Sequence, residues 1–296
     1  MANAAELKTA LNASNVVKLT EDVNLGTDLL TVNTGKDVVL NLNGKTLTSE
    51  VTGNHVALYA NGGSLTIKNG NIVSGGRVAA VANGGTVTVT DAILEAGDVA
   101  LSATGAGSEV VIGKGAEVNS QEFGVLATTG ATITMNGGEI KARDNACLGG
   151  NGTPGQGDIV INFNGGTLNG AITSAGYSAC GIYMPNSGTV NVTGGEMNIT
   201  KGAGIVMRAG TLNMTAGTIN ATDPTGTGFV GKVGDSNVTV PCAAIVYDQS
   251  AHYPGATPDG IHVNVSGGTL SSAEGVDDIY VLVDEGVEAD VVDTRA

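Results

Sequence analysis

Apolar and polar residues alternate along most of this chain, and the alternation restarts at a nearly fixed interval. The stretch Ala131 to Lys141, ATITMNGGEIK, shows the unit: Ile133 and Met135 alternate with Thr, Asn136-Gly137-Gly138 turns, and Ile140 resumes. Period two is the mark of a strand with one buried face, and Asn-Gly-Gly is turn chemistry because Gly reaches positive φ without steric cost. Anchored on its central apolar residue, the phrase recurs at Leu19, Leu42, Ile67, Val89, Ile112, Met135, Phe163, Val192, Met214 and Val265. A second apolar residue stands two positions before each anchor. A Gly usually stands three after it: Gly70, Gly115, Gly138, Gly166, Gly195, Gly217 and Gly268. The spacing, about 22–23 residues, lies in the window of solenoid repeats. Helical repeats are excluded, because 47 glycines in 296 residues would break helices throughout.

Each repeat offers a first strand, a Gly turn, a short second strand and a third apolar patch, as at Val56-Leu58, Val78-Val81, Val99-Leu101 and Val125-Ala127. Three strands per turn stacked in parallel predict an all-β, right-handed parallel β-helix solenoid of about 10–11 coils. One coil alone does not offset the ordering of its residues, so stability must be collective. Residues 1–15 are expected to form an N-terminal helical cap over the first coil. Asn3 is placed as N-cap, Glu6 at the capping-box position, and Ala4, Leu7, Ala10 and Leu11 on one face. The solenoid is expected over 16–270, with insertions at 144–157, 170–178, 221–241 and 248–260. Residues 271–296 carry eight acidic side chains and one basic one, which predicts an acidic C-terminal cap blunting the last edge.

Charge narrows the partners. A formal net charge of −15 argues against nucleic acid, whose phosphates need Lys and Arg, and against an anionic membrane surface. No apolar run is long enough to span a bilayer. The N-terminus shows no basic region followed by an apolar core, so no secretory leader is expected. Cys147, Cys180 and Cys242 are too few and too widely spaced for a disulfide framework or a zinc pattern. Folding in a reducing cytoplasm is the simplest expectation.

Candidate chemistry is sparse. Gly44-Lys45-Thr46 resembles the tail of a phosphate loop, but Val39 stands where the opening Gly belongs, so it reads as a coil turn. No cofactor and no metal site is expected. The cysteines, with no histidine in their own coils, read as small core residues. Glu139, Lys141, Arg143 and Asp144 form the one dense mixed-charge patch, read as solvated ion pairs.

The phrases LNLNGKTL, ITMNGGEI, INFNGGTL, VNVTGGEM and LNMTAGTI resemble those of the pectate-lyase-like right-handed β-helix superfamily. The resemblance spans nearly the whole chain and carries architecture more than activity. It implies one of three uses: polysaccharide lyase or hydrolase, bacterial surface adhesin, or phage spike, fibre or decoration protein. The Arg-x-Pro-x-x-Arg strand of pectate lyases is absent. Glu117, Glu139 and Glu196 are interspersed with Thr and Asn rather than paired across a groove, and there is no Trp. An adhesin would need a leader and an anchor, whereas a virion protein folds in the host cytoplasm and leaves by lysis. The expectation is therefore a non-enzymatic virion structural protein, a phage capsid decoration or fibre subunit. Its alternatives are a tailspike-like protein that binds or cleaves surface glycan and a bacterial cell-surface adhesin.

The outward faces predict the assembly. First-strand outward positions (Asn41, Thr66, Thr88, Val111, Thr134, Asn162, Asn191, Asn213, Asn264) are largely polar, as are Glu117, Glu139, Lys141, Glu196 and Asn198 on the second strand. On the third strand the outward residues are read as Ala57, Ala79, Ala100, Leu126, Tyr183, Val206 and Val246. An exposed apolar stripe marks an interface, so these seven are expected to pack against sister subunits in a closed homotrimer, with capsid or tail proteins as further partners. The competing expectation is that the insertions or the N-terminal segment fold back over the stripe.

Overall fold

The computed structural model describes residues 1–171, 176–233, 239–249, 260–283 and 285–295. The chain is an all-β parallel solenoid of about eleven turns with one short helix. The described strands form a long sheet of fifteen, a second sheet of ten and a separate two-stranded hairpin. First and second strands of each repeat both belong to the long sheet, and third patches build the second sheet.

In some coils the Gly step is a bend within one strand, whereas in others, as between Glu109–Ile112 and Glu117–Ser120, it is the expected turn between two. Thr132–Ala142 runs unbroken, and its ladder to Ile159–Ala171 shifts register on either side of Asn136. The glycines that make this bend stack on one another. Gly138, Gly166, Gly195, Gly217 and Gly268 have φ between 80° and 101°. A Cβ on Gly195 would lie 2.5 Å from the Phe163 ring and 2.9 Å from the Gly166 carbonyl oxygen. This column needs glycine twice over, for its left-handed backbone and for the closeness of the coil beneath.

Two apolar ranks of the long sheet point inward. Ile133, Ile161, Val190, Leu212 and Val263 stack in register, as do Met135, Phe163, Val192, Met214 and Val265. All are buried in one continuous core with Ile182, Ile205 and Ile245 from the second sheet. In the first two coils the ladder runs Val17 to Leu40 and Leu40 to Ile67, so Leu19 and Leu42 are not the partners of Ile67. The pattern is displaced there by two residues, which keeps every side chain on its expected face because strand periodicity is two. Val39, not Asn41, then stands in the outward rank with Thr66.

The helix spans Ala4–Ala13, with Asn3 accepting from the Glu6 amide at 3.0 Å. Glu6 returns two bonds, accepting from the Ala2 amide and the Asn3 side chain, so the cap is reciprocal. Leu7, Ala10 and Leu11 are buried in the core of the first coil. At the other end, Ile279–Leu282 adds to the second sheet beside Ile245–Asp248. Val291–Asp293 adds to the long sheet beside Ile261–Val265. The acidic segment is thus itself a further turn of the solenoid.

Candidate interaction face

The outer face of the second sheet differs most from the sequence expectation. Its inward rank runs Leu30, Leu58, Ala79, Leu101, Val125, Leu148, Ile182, Ile205, Ile245, Ile279. Its outward rank is Thr31, Tyr59, Ala80, Ser102, Leu126, Gly149, Tyr183, Val206, Val246, Tyr280. Ala57, Ala79 and Ala100 are therefore not surface residues; each is fully buried in the main core. The cause is local. At the strand entrance consecutive residues both turn inward, as Val78 and Ala79 do, and both of their amides donate to the Ala100 carbonyl, at 3.0 and 3.2 Å. This bulge-like step moves the alternation by one, which exchanges the two faces.

Leu126, Tyr183, Val206 and Val246 do point outward, but only Leu126 keeps appreciable exposure. The other three lie in a second apolar cluster with Ala146, Cys180, Ala203 and Ala243. Val233 and Val240 roof that cluster from a hairpin in which Val230–Lys232 pairs antiparallel with Thr239–Pro241. The 170–178 insertion joins this roof: Lys232 and Tyr177 form a bridge, the Ser178 amide donates to the Lys232 carbonyl at 2.6 Å, and the Lys232 amide donates to Gly176 at 2.9 Å. Two insertions thus cover the apolar stripe with the chain's own residues. Most of the 248–260 insertion lies outside the described residues.

Beneath this roof sits a charged pair. Arg208 Nε lies 3.1 Å from Asp248, with both side chains almost wholly buried, and Arg208 Nη1 donates to the Tyr183 hydroxyl at 3.3 Å. Two charges out of water are costly unless they answer each other, so the pair fixes how these two coils meet. Sequence reading missed it, although Met207 pairs with Tyr247 and aligning the third strands would have brought Arg208 beside Asp248.

Where the roof meets the last coil there is a cleft of about 590 Å³, walled by Phe229, Val230, Pro241, Val276 and Tyr280 and edged by Thr222, Asp223, Ser272 and Glu274. Asp223 shapes one wall. Its Oδ1 accepts from the Thr225 amide at 2.9 Å and from the Thr225 hydroxyl. Its Oδ2 accepts from the amides of Thr227 and Phe229 at 3.1 and 2.9 Å. Those bonds, the Thr225 hydroxyl first, lower the carboxyl pKa to about 2, so it is ionised at neutral pH. Lys201 lies 5.8 Å from the centre of the Phe229 ring, a cation–π distance that steadies the aromatic wall from behind. A shallower groove of about 340 Å³, bordered by Tyr59, Ala80, Ser102 and Leu126, marks the uncovered part of the same face.

On the long sheet the polar groups bond along the stack. Asn191 donates to Asn162, Asn213 to Asn191 and Asn264 to Asn213, at 2.9–3.3 Å. Lys141 Nζ bridges Glu117 at 3.3 Å and Glu139 at 3.1 Å, and Asn119 donates to both Glu95 and Glu117. Hydrogen bonding from Asn119, then from Lys141, holds the Glu117 carboxyl below its usual value, and the Lys141 ammonium is raised mainly by Glu139. Arg143 and Asp144 lie beyond this bridge. Gly44 of the phosphate-loop lookalike gives its amide to the Asn69 carbonyl of the next coil at 2.6 Å.

The three cysteines are buried and free. Cys180 pairs with Ala146, not Cys147, so Cys147 sits in the main core and Cys180 under the roof. Burial pushes the Cys147 thiol up to about 12 and raises Cys180 and Cys242 as well. None presents a thiolate at neutral pH. Among the described residues, no three His, Cys, Asp or Glu side chains converge as a metal site, and no helix is long and apolar enough to cross a membrane.

No protein-family model, no curated protein and no solved structure matches this chain. The superfamily resemblance therefore rests on the repeated phrases and the coil pattern.

Proposed function

We propose that this chain is a non-enzymatic structural protein of a phage virion, a capsid decoration or fibre subunit made in the host cytoplasm. The observation that carries the reading is how its outward polar groups are used. Glu117 and Glu139 share one lysine, asparagines bond to asparagines coil after coil, and Cys147 and Cys180 are sealed in cores. These groups stiffen a rod. Tyr183, Val206 and Val246 lie under the hairpin, so packing against sister subunits in a homotrimer is assigned to the open part of the face, around Tyr59, Ala80 and Leu126. Antibody raised against the pure protein should decorate particles purified from lysates of the host carrying the gene. Label confined to the soluble host fraction would overturn the reading. Light scattering should give three chains per particle for the wild type and one for the L126K variant.

A second reading, a tailspike-like protein that binds surface glycan, draws support from the cleft between hairpin and last coil. That Phe229 and Tyr280 both line it counts in a chain with only 3% aromatic residues.

A further inference from the structure

The cleft combines aromatic walls, a polar rim and a braced loop. Phe229 and Tyr280, both half-buried, give it two aromatic walls. The exposed Glu274 carboxylate and the Thr222 hydroxyl stand at its rim. Its size, about 590 Å³, suits a small ligand of a few rings. The wall is built rather than incidental, because four bonds to Asp223 set the loop that carries Phe229.

We propose that this cleft is a subsite for uncharged or amine-bearing saccharides, which stack an apolar ring face on Phe229 and Tyr280 and donate hydroxyl or ammonium hydrogens to Glu274. Each element follows from general chemistry. A pyranose presents an axial C–H face, which suits the negative face of an aromatic ring. It also presents hydroxyl donors, which suit an acceptor-only carboxylate. The two carboxylates edging the cleft, Asp223 and Glu274, oppose an anionic ligand. Lys201 offsets them only in part, since it sits against the Phe229 ring rather than in the lining. Uronic-acid chains are thereby disfavoured. The inference deepens the glycan-binding reading above and does not depend on a place in a virion.

The test is titration calorimetry of the full chain with four trisaccharides: maltotriose, chitotriose, the de-acetylated amine form of chitotriose, and trigalacturonate. At least one of the first three should bind with a millimolar or tighter Kd, and trigalacturonate at least tenfold more weakly. Phe229→Ala and Tyr280→Ala should each weaken binding tenfold or more. Should either variant unfold, Glu274→Lys supplies the test at an exposed position. It should lower affinity for the amine form at least tenfold and narrow the gap to trigalacturonate. No binding by any of the first three, or tightest binding by trigalacturonate, would overturn the proposal. Binding that all three variants leave unchanged would also overturn it, while leaving glycan recognition elsewhere on the rod intact.

Discussion

The outer face of the second sheet is open in the early coils and roofed in the later ones. Both halves share one apolar inward rank, Leu, Val and Ile apart from Ala79. Outward, the open half shows Thr31, Tyr59, Ala80 and Ser102, whereas the roofed half shows Tyr183, Val206 and Val246. The rods are alike in backbone, and the outward residue follows what lies over it. Where no roof lies over the strand the rank is mixed, Thr31, Tyr59, Ala80, Ser102 and Leu126, and part-exposed. Where the hairpin lies over it the rank is apolar and fully buried. An apolar outward stripe in a solenoid thus signals a cover, and an insertion nearby in sequence is the first place to look for it.

The largest effects should come from breaking that contrast. Val206→Asp places an unanswered charge beneath the roof and should cost about 3–5 kcal/mol in denaturant unfolding. Ser102→Asp, at the matching site of the open half, should stay within about 0.5 kcal/mol in the monomeric Leu126→Lys background. Removing one partner of the covered ion pair, as in Arg208→Met, should likewise cost about 3–5 kcal/mol because Asp248 keeps its buried charge.

The glycine bend offers a second, smaller contrast. At Gly195 an Ala meets both a left-handed φ and the Phe163 ring, and should cost about 3 kcal/mol. At Gly84, with φ of 75° and no atom within 4 Å of the added Cβ, only the backbone term remains, about 1 kcal/mol. Thermal melts of the two variants would read the difference.

Acid should act on both halves through carboxyls whose pKa is lowered on folding. Such a group contributes stability above its unfolded value and loses it as pH falls through the folded one. Glu117, bonded by Asn119 and Lys141, does this in the open half, and Asp223, with its folded value about 2, does it in the roof. Both are largely exposed to solvent, so the effect is small. Melting temperature should decline below about pH 4, and Asp223→Asn should flatten that decline more than Glu117→Gln does.

Much of the fold was legible because period two and stacked glycines repeat often enough to be averaged over coils. The two-residue displacement at Leu19 and Leu42 did no harm, since it preserved the faces. The one-residue step before Leu58, Ala79 and Leu101 did, because alternation counted through a bulge gives the wrong face for Ala57, Ala79 and Ala100. The cleft was not legible at all. Phe229 and Tyr280 stand some fifty residues apart, one in an insertion and the other in a last turn whose sequence has lost the repeated phrase, so no periodicity joins them. Asp223 could have been found, since an Asp followed by Pro, Thr and Gly invites side-chain bonds to nearby amides.

The central claim is that the chain's own insertions cover the later coils and leave the early ones open. Thiol labelling of the native protein with a maleimide tests it directly, because Cys147, Cys180 and Cys242 are all buried. In a monomeric Leu126→Lys background with Cys242, which lines the cleft, replaced by Ala, the account predicts that the V206C variant stays unlabelled until global unfolding, while the S102C variant labels at once. Equal, rapid labelling of V206C and S102C in the folded protein would contradict it.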